Sequence, residues 1–156
     1  MSKPSFVYVT YIAATAEKVW HALTEGDVIR RYWGGLTAGV PAYENISDWK
    51  PGSTWQQRRL DEAKTVTLVG KVVESTAPRR LVLTWARPED ADNADKNSRV
   101  TFDIEPQGDR RVKLTVLHED LDAEMHRGVT TGWPQVLANL KTLLETGQPL
   151  PTSPRT

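Results

Sequence analysis

A run of about seventy residues sets the main limit on the architecture, because apolar and polar side chains alternate along it from residue 45 to residue 119. In the clearest stretch, Leu81, Leu83 and Trp85 are separated by Val82 and Thr84. Successive side chains of a β-strand point to opposite faces of the sheet, so this period predicts strands with one buried face. The run therefore predicts a sheet.

Turn signals divide the run into strands, and the clearest are Lys50-Pro51-Gly52 and Pro106-Gln107-Gly108-Asp109. Connections this short join antiparallel neighbours, which predicts a meander. A further strand is predicted at residues 5–12, where nearly every side chain is β-branched or aromatic. The six strands predicted within the run are residues 45–49, 53–59, 64–75, 79–87, 98–105 and 110–119.

Two short helices are predicted after the first strand. Thr15 can cap the helix that begins in TAEKVWHALTEG, and Gly26 suits its end. Asp27 can then cap a second helix, VIRRYW, which stops at Gly34 and Gly35.

The last helix is predicted in TGWPQVLANLKTLLETG, residues 131 to 147, and its apolar stripe is broad enough to cover one face of the sheet. Pro134 lies inside this segment. Either Gly132-Trp133 forms a junction and Pro134 occupies the first turn of a new helix, or Pro134 kinks one continuous helix. The stripe consists of Trp133, Val136, Leu137, Leu140, Leu143 and Leu144.

Composition excludes several classes of function. The 156 residues carry 20 basic and 20 acidic side chains, so the electrostatic signature of a nucleic-acid-binding protein is missing. The sequence contains no cysteine, no uncharged apolar run long enough to span a membrane and no signal-peptide pattern, so we expect a cytoplasmic protein without a membrane span. The length predicts one domain, residues 1–148, followed by a flexible Pro- and Ser-containing tail, residues 149–156.

Five segments in order resemble the bacterial homologues of the C-terminal domain of the Hsp90 ATPase activator, within the START-like superfamily. They are IAATAEKVWHALTEGDVIRRYWGG, SDWKPGSTW, GKVVESTAPRRLVLTW, RVTFDIEPQGDRRVKLTVLHEDL and GWPQVLANLKTLLETG. The resemblance covers about residues 5 to 148. It implies an α+β helix-grip fold, in which a curved antiparallel sheet of about seven strands grips a long C-terminal helix around a hydrophobic pocket.

The resemblance implies no catalytic residues, because no invariant catalytic motif defines the family. It leaves three interpretations: a binding protein for a small hydrophobic molecule, a protein-interaction module such as an Hsp90 cochaperone or a homodimer, and a cyclase or aromatase-type enzyme. The eukaryotic activator also relies on a separate N-terminal domain, whereas the similarity here begins at about residue 5. We therefore rank ligand binding first and expect no cofactor.

His118 is the candidate for proton transfer if the protein is an enzyme. Strict alternation places it on the face of Val112, Leu114 and Val116, where it either points toward a cavity mouth or is satisfied by a backbone carbonyl. No G-x-S-x-G, H-E-x-x-H or Gly-rich phosphate loop occurs. The acidic segment 87–98 fails the calcium-loop pattern at three required places, which predicts a polar hairpin loop and no metal site.

Aromatic side chains are the remaining candidates for a binding site. Trp33 lies beside two glycines, and Trp55 lies in a strand of otherwise polar residues together with Gln57. Both suit a pocket wall, since an indole offers contact area and a hydrogen-bond donor. The complete set predicted to line the pocket is Trp33, Trp55, Gln57, Trp85, Phe102, His118, Trp133, Leu137 and Leu140.

Overall fold

The computed structural model describes residues 3–35 and 41–152, and within them it forms one curled antiparallel sheet with three α-helices and two short 3₁₀ helices, Pro88–Asp90 and Ala94–Lys96, in the segment predicted as a polar loop. The predicted helix-grip architecture is confirmed. The strands are β1 (Phe6–Ile12), β2 (Tyr43–Ile46), β3 (Thr54–Arg59), β4 (Val66–Thr76), β5 (Arg80–Trp85), β6 (Ser98–Pro106) and β7 (Val112–Glu119). The helices are α1 (Ala16–Thr24), α2 (Gly26–Tyr32) and α3 (Ala123–Thr146).

The sheet is the predicted meander, with strand order β1-β7-β6-β5-β4-β3-β2. β4 lies between β3 and β5: Val66 to Lys71 are in register with β3 and Val72 to Thr76 with β5, and Val69 also bridges to Ala86 just after β5. Register shifts occur between Gln57 and Arg58 and between Val72 and Glu74. Irregular pairing of this kind bends a sheet, and the bend creates a concave face.

α3 covers the concave face, and its buried side chains run from Val129 to Leu143. Asp122 caps its start, since Oδ1 accepts from the Met125 amide at 2.8 Å, and Gly147 ends it with a left-handed φ of 83°. Pro134 lies inside this single helix. The interpretation with a junction at Gly132-Trp133 is therefore wrong, and packing of apolar side chains on both sides of the proline explains why the helix continues.

The two short helices differ from prediction at their boundary. Thr15 caps α1 as expected, accepting from the Lys18 amide at 3.2 Å. Asp27 does not cap α2, because Glu25 is both the C-cap residue of α1 and the N-cap residue of α2. Gly26 consequently begins α2, and Asp27 pairs with Arg30 at 3.0 Å in its first turn.

β2 begins and ends earlier than the predicted strand at residues 45–49. Trp49 has a positive φ of 59°, and its amide donates to the Ser47 hydroxyl at 2.9 Å. This local turn replaces extended backbone and ends the strand.

The predicted tail lies in part outside the described residues, at 153–156. Its described beginning contacts α3, because the Leu150 amide donates to Oδ1 of the buried Asn139 at 2.6 Å. Among the described residues, no helix is long and apolar enough to cross a bilayer.

Candidate functional site

Tryptophan rings fill the centre of the space between the sheet and α3. Trp33, at the end of α2, lies 5.3 Å from Trp133 of α3, measured between ring centroids. Trp85 of β5 lies 5.6 Å from Trp133 and 5.3 Å from Trp55 of β3. Phe102 of β6 meets Trp133 edge to face at 5.7 Å. Arrangements of this kind add aromatic contact energy to the burial of large apolar surfaces.

His118 is completely buried beside this aromatic cluster and is hydrogen-bonded at both ring nitrogens. The Trp133 indole donates to Nδ1 at 3.1 Å, and Nε2 lies 2.8 Å from the Ser98 hydroxyl. An indole nitrogen can only donate, so Nδ1 must accept and Nε2 must carry the proton. Ser98 then donates to the Trp85 carbonyl at 3.1 Å, which completes a chain of satisfied polar groups.

The imidazole of His118 is neutral in the folded protein. Burial lowers the pKa of His118 to about 3. Both nitrogens are engaged within the protein, so the imidazole offers no free nitrogen to a bound molecule. His118 lies in the interior, and its two ring nitrogens form hydrogen bonds with side chains rather than with a backbone carbonyl.

The indole of Trp55 reaches across β4 to β5 because Gly70 has no side chain to block it. A Cβ on Gly70 would lie 2.4 Å from the Trp55 indole nitrogen and 1.9 Å from the Thr84 carbonyl oxygen. Without it, the indole donates to the Thr84 carbonyl at 2.8 Å. The glycine thus permits the close approach that fixes Trp55 beside Trp85.

An open groove of about 780 Å³ lies beside the aromatic cluster, between the first turns of α3 and strands β2 to β4. Its apolar wall is formed by Val66, Leu68 and Met125. Gln57 contributes a buried amide whose Nε2 donates to Asn45 at 3.2 Å and whose Oε1 accepts from Thr67 at 3.0 Å. The remaining lining residues are Tyr43, Arg59, Arg87, Pro88, Glu89, Glu124 and Gly128.

The charged side chains at this groove face one another. Arg87 lies 3.8 Å from Asp122 and 3.5 Å from Glu124, while Arg59 lies 3.8 Å from Asp61. All three distances join charged nitrogen and oxygen atoms. Cations and anions are therefore balanced at the rim, and neither sign dominates.

A second groove, of about 1210 Å³, lies on the opposite face of the sheet. Its lining includes the outward-facing Thr54, Gln56 and Lys71, and it reaches the buried Trp55, which is one of the predicted pocket residues. Within residues 3–35 and 41–152, no group of three or more histidine, aspartate and glutamate side chains is placed to hold a metal ion.

The predicted pocket residues separate into three environments. Trp33, Trp55, Trp85, Phe102, His118 and Trp133 form or adjoin the aromatic cluster. Leu137 and Leu140 are buried in the core further along α3, Gln57 lines the groove beside the aromatic cluster, and Trp55 also lines the second groove. The prediction that these nine residues line one pocket stays a prediction.

Met125 and Gly128 are missing from the predicted site because the last helix was predicted only for residues 131 to 147, whereas α3 begins at Ala123. In one continuous helix, Met125, Val129 and Trp133 follow each other at four-residue spacing and share a face. That spacing is the signal that could have identified the groove wall.

The sequence matches the family model described as Activator of Hsp90 ATPase homolog 1-like protein over residues 13–145. No curated protein matches it at a significant level.

Solved structures share the fold at low sequence identity. A protein from Cytophaga hutchinsonii is 21% identical with a TM-score of 0.72, covering 94% of this chain and 97% of that one. An Hsp90 activator from Plasmodium falciparum is 22% identical with a TM-score of 0.69, covering 90% and 95%. CalU16 from Micromonospora echinospora is 20% identical with a TM-score of 0.68, covering 92% and 77%.

Proposed function

The chain belongs to the Activator of Hsp90 ATPase homolog 1-like family, and we propose that it binds a small, largely hydrophobic molecule in the groove beside the aromatic cluster. The size and position of the groove support this proposal. Its volume of about 780 Å³ falls within the range of small-molecule sites, and it opens between the sheet and α3. Since tryptophan rings fill the centre of that interface, the groove is the part able to admit a ligand.

The lining favours an apolar body with a polar group. Val66, Leu68 and Met125 supply apolar contacts, and methionine adapts to ligands of different shape. Tyr43 and the buried Gln57 amide add polar atoms to the same walls. Apolar contacts with Val66, Leu68 and Met125 would contribute affinity, and the polar and charged side chains that make up most of the lining would orient the ligand.

Gly128 supports access to the groove. It lies inside α3, where glycine costs about 1 kcal/mol relative to alanine. Nothing lies within 4 Å of the position a Cβ would take, so packing against the protein does not require the glycine. Gly128 nevertheless lines the groove, so a larger side chain at this position would project into it.

Gly132 provides a matched control, because it lies one turn further along α3, also has open space at its Cβ position and does not line the groove. We expect native mass spectrometry of protein purified from its own source to detect a bound small molecule on the wild type and on Gly132→Leu. Gly128→Leu should lose it, because the side chain occupies the groove. The same added mass on Gly128→Leu would place the ligand elsewhere, and an unliganded wild type would count against the proposal.

The enzyme interpretation depends on His118 and receives less support. A general base must reach the proton it abstracts, whereas both nitrogens of His118 are bonded to Trp133 and Ser98. Replacement of His118 by alanine without loss of turnover of an identified substrate would exclude this residue.

A second candidate function is self-association through the free edge of β1. The strand carries no charge and no proline, and Val7, Val9 and Tyr11 are 56%, 45% and 46% exposed. The Tyr11 end of this edge is already engaged by α3, because its carbonyl accepts from Lys141. Alternation turns the backbone of Val7 and Val9 to the same side, away from β7, so these two residues form the part of the edge open to a second copy. Such an edge can pair with a second copy.

Light scattering coupled to size-exclusion chromatography tests this candidate. We expect a dimer for the wild type and a monomer for Val9→Lys. Val73→Lys is the control, since Val73 is 43% exposed but lies in an interior strand. A monomeric wild type at about 100 µM would contradict pairing at this edge.

A further inference from the structure

The two edges of the sheet are protected unequally. β2, at one edge, is four residues long and carries Glu44, whose carboxylate pairs with Arg30 of α2 at 3.2 Å. The Tyr43 amide of the same strand donates to the Trp33 carbonyl at 2.8 Å. Short length, charge and cover by a helix are devices that keep an edge from pairing with another chain. β1, at the other edge, is seven residues long and uncharged.

α3 closes one end of the β1 edge. Lys141 donates to the Tyr11 carbonyl, which points away from β7. Two residues further along, the Ala13 amide donates to the Glu145 carboxylate at 2.8 Å. Lys141 and Glu145 also pair with each other at 2.7 Å. Pairing of this edge with another strand is therefore obstructed from Tyr11 onward.

The open part of the edge runs from Ser5 to Val9. In an antiparallel ladder, the amide and carbonyl of one residue face one neighbour and those of the next residue face the other side. The Pro4 carbonyl accepts from Leu121, just after β7, so Ser5, Val7 and Val9 direct their backbone groups outward. Among the residues that the structure describes, none forms a hydrogen bond with these outward groups.

This open segment can pair completely with itself in the antiparallel register centred on its middle residue. A two-fold axis at Val7 places Val7 opposite Val7 of a second copy, and Ser5 opposite Val9. The register engages all three outward-facing residues of both copies and forms about six hydrogen bonds. Registers shifted toward α3 would use Tyr11, whose carbonyl already accepts from Lys141.

The same register brings aromatic side chains together on the concave face. Phe6 and Tyr8 lie opposite core residues of β7, and their rings stack with centroids 6.5 Å apart. Both are only half-buried within one copy. With the axis at Val7, Phe6 lies opposite Tyr8 of the second copy in a non-hydrogen-bonded pair, which is the closer of the two kinds of pair. Aromatic pairs directly across two strands stabilise a sheet.

Apolar side chains flank the open edge on the convex face as well. Val7 is 56% exposed and lies opposite the half-buried Leu117 of β7. At the axis, Val7 meets its own copy, so surface that faces water in one copy is buried in the pair. Burial of this kind favours association.

We propose that two copies pair through residues 5–9 in an antiparallel, two-fold arrangement centred on Val7, which continues the seven-stranded sheet from one copy into the next. This inference rests on the proposed self-association and deepens it, because it assigns the symmetry, the register and the residues that meet. Lys141 and Glu145 confine the pairing to this segment.

Single-cysteine variants test the register, because the sequence contains no cysteine. We expect Val7→Cys in a glutathione redox buffer to shift from monomer to disulfide-linked dimer on non-reducing electrophoresis. The Cα atoms of a hydrogen-bonded pair lie about 5.5 Å apart, a distance that a disulfide spans.

Val9→Cys is the matched control, since it also replaces an exposed valine of β1. In the proposed register it lies opposite Ser5, and its own counterpart in the second copy is four residues away, or about 13 Å. We therefore expect Val9→Cys to remain without the disulfide. Light scattering coupled to size-exclusion chromatography reports the mass of both reduced variants and of the wild type.

The outcomes separate the register from the self-association on which it rests. A disulfide-linked dimer of Val9→Cys but not of Val7→Cys, or equal linkage of both, would overturn the register while two copies still meet at this edge. A dimeric mass with neither variant linked would place the interface elsewhere. A monomeric mass for all three proteins, with neither variant linked, would overturn the register and the self-association together.

Discussion

The Trp133 indole donates a hydrogen bond of 3.1 Å to Nδ1 of His118, and this contact joins the C-terminal helix to the last strand of the sheet. It fixes the imidazole as the tautomer protonated at Nε2, which in turn requires an acceptor. Ser98 provides it at 2.8 Å. One polar contact between helix and sheet therefore determines the hydrogen-bonding roles of three buried side chains.

Replacement of Ser98 tests this chain. Ser98→Ala leaves the Nε2 proton of His118 without an acceptor in a buried site, and we expect a loss of about 1–3 kcal/mol in the free energy of unfolding. Urea denaturation measures the loss. Ser5→Ala, at an exposed position, should change the stability by less than about 0.5 kcal/mol. Equal stability of Ser98→Ala and the wild type would show that the histidine does not depend on this hydroxyl.

The buried imidazole also makes stability depend on pH. The pKa of His118 in the folded protein is lowered to about 3, below its ordinary value near 6.5. Between these two values the unfolded chain binds a proton that the folded protein does not. The contribution of neutral His118 is therefore fully present above about pH 6.5 and declines as the pH falls toward 3.

We expect the free energy of unfolding to fall by about 2 kcal/mol from pH 7 to pH 5 through this residue alone. His118→Gln should lose that part of the pH dependence, whereas His126→Gln should retain it. Denaturation curves at both pH values give the difference for each protein. An unchanged difference in His118→Gln would indicate that the imidazole already takes up its proton in the folded state.

Glu44 holds α2 against the edge strand β2. Its carboxylate is 11% exposed and accepts from Arg58 Nη2 at 2.8 Å and from Arg30 Nη2 at 3.2 Å. Glu44→Gln removes the charge from a site that two guanidinium groups face. Both arginines keep access to water, so we expect a loss of about 1–2 kcal/mol rather than the larger cost of stranding a buried charge.

Glu74→Gln is the comparison for this prediction. Glu74 is 45% exposed and lies 3.6 Å from Arg80, so its loss should cost less than about 0.5 kcal/mol. Thermal and urea denaturation should show a larger loss of stability for Glu44→Gln than for Glu74→Gln. Equal effects would mean that the burial of Glu44 adds nothing to its ion pairs.

The sheet could be predicted from the sequence because its signal is local. Alternation at Leu81, Leu83 and Trp85 depends only on the two-residue period of a strand, and the structure buries all three. The same rule placed His118 on the core face. Its partners, Ser98 and Trp133, lie 20 and 15 residues away, and the pairing of β6 with β7 and the packing of α3 bring them within reach.

The groove could not be predicted for a related reason. Its helical wall requires that Met125 and Gly128 belong to the same helix as Trp133, and local propensity places a break at Pro134. Burial on both sides of the proline outweighs that propensity. A local rule fails where the packing of distant elements decides the conformation.

The last prediction concerns Pro134, because a proline at this position lowers the stability of α3. A proline inside a helix lacks the amide that would donate to the carbonyl four residues earlier, here that of Thr130, and is less favourable than alanine by about 3 kcal/mol. Proline also restricts the unfolded chain, which offsets up to about 1 kcal/mol. We therefore expect Pro134→Ala to raise the free energy of unfolding by about 2 kcal/mol, measured by urea denaturation. The new amide at position 134 should be protected in hydrogen exchange, since it can donate to Thr130.

Gln135→Ala, at the exposed neighbouring position, is the control and should have little effect. A Pro134→Ala protein no more stable than this control would show that the proline ring contributes packing that alanine cannot replace.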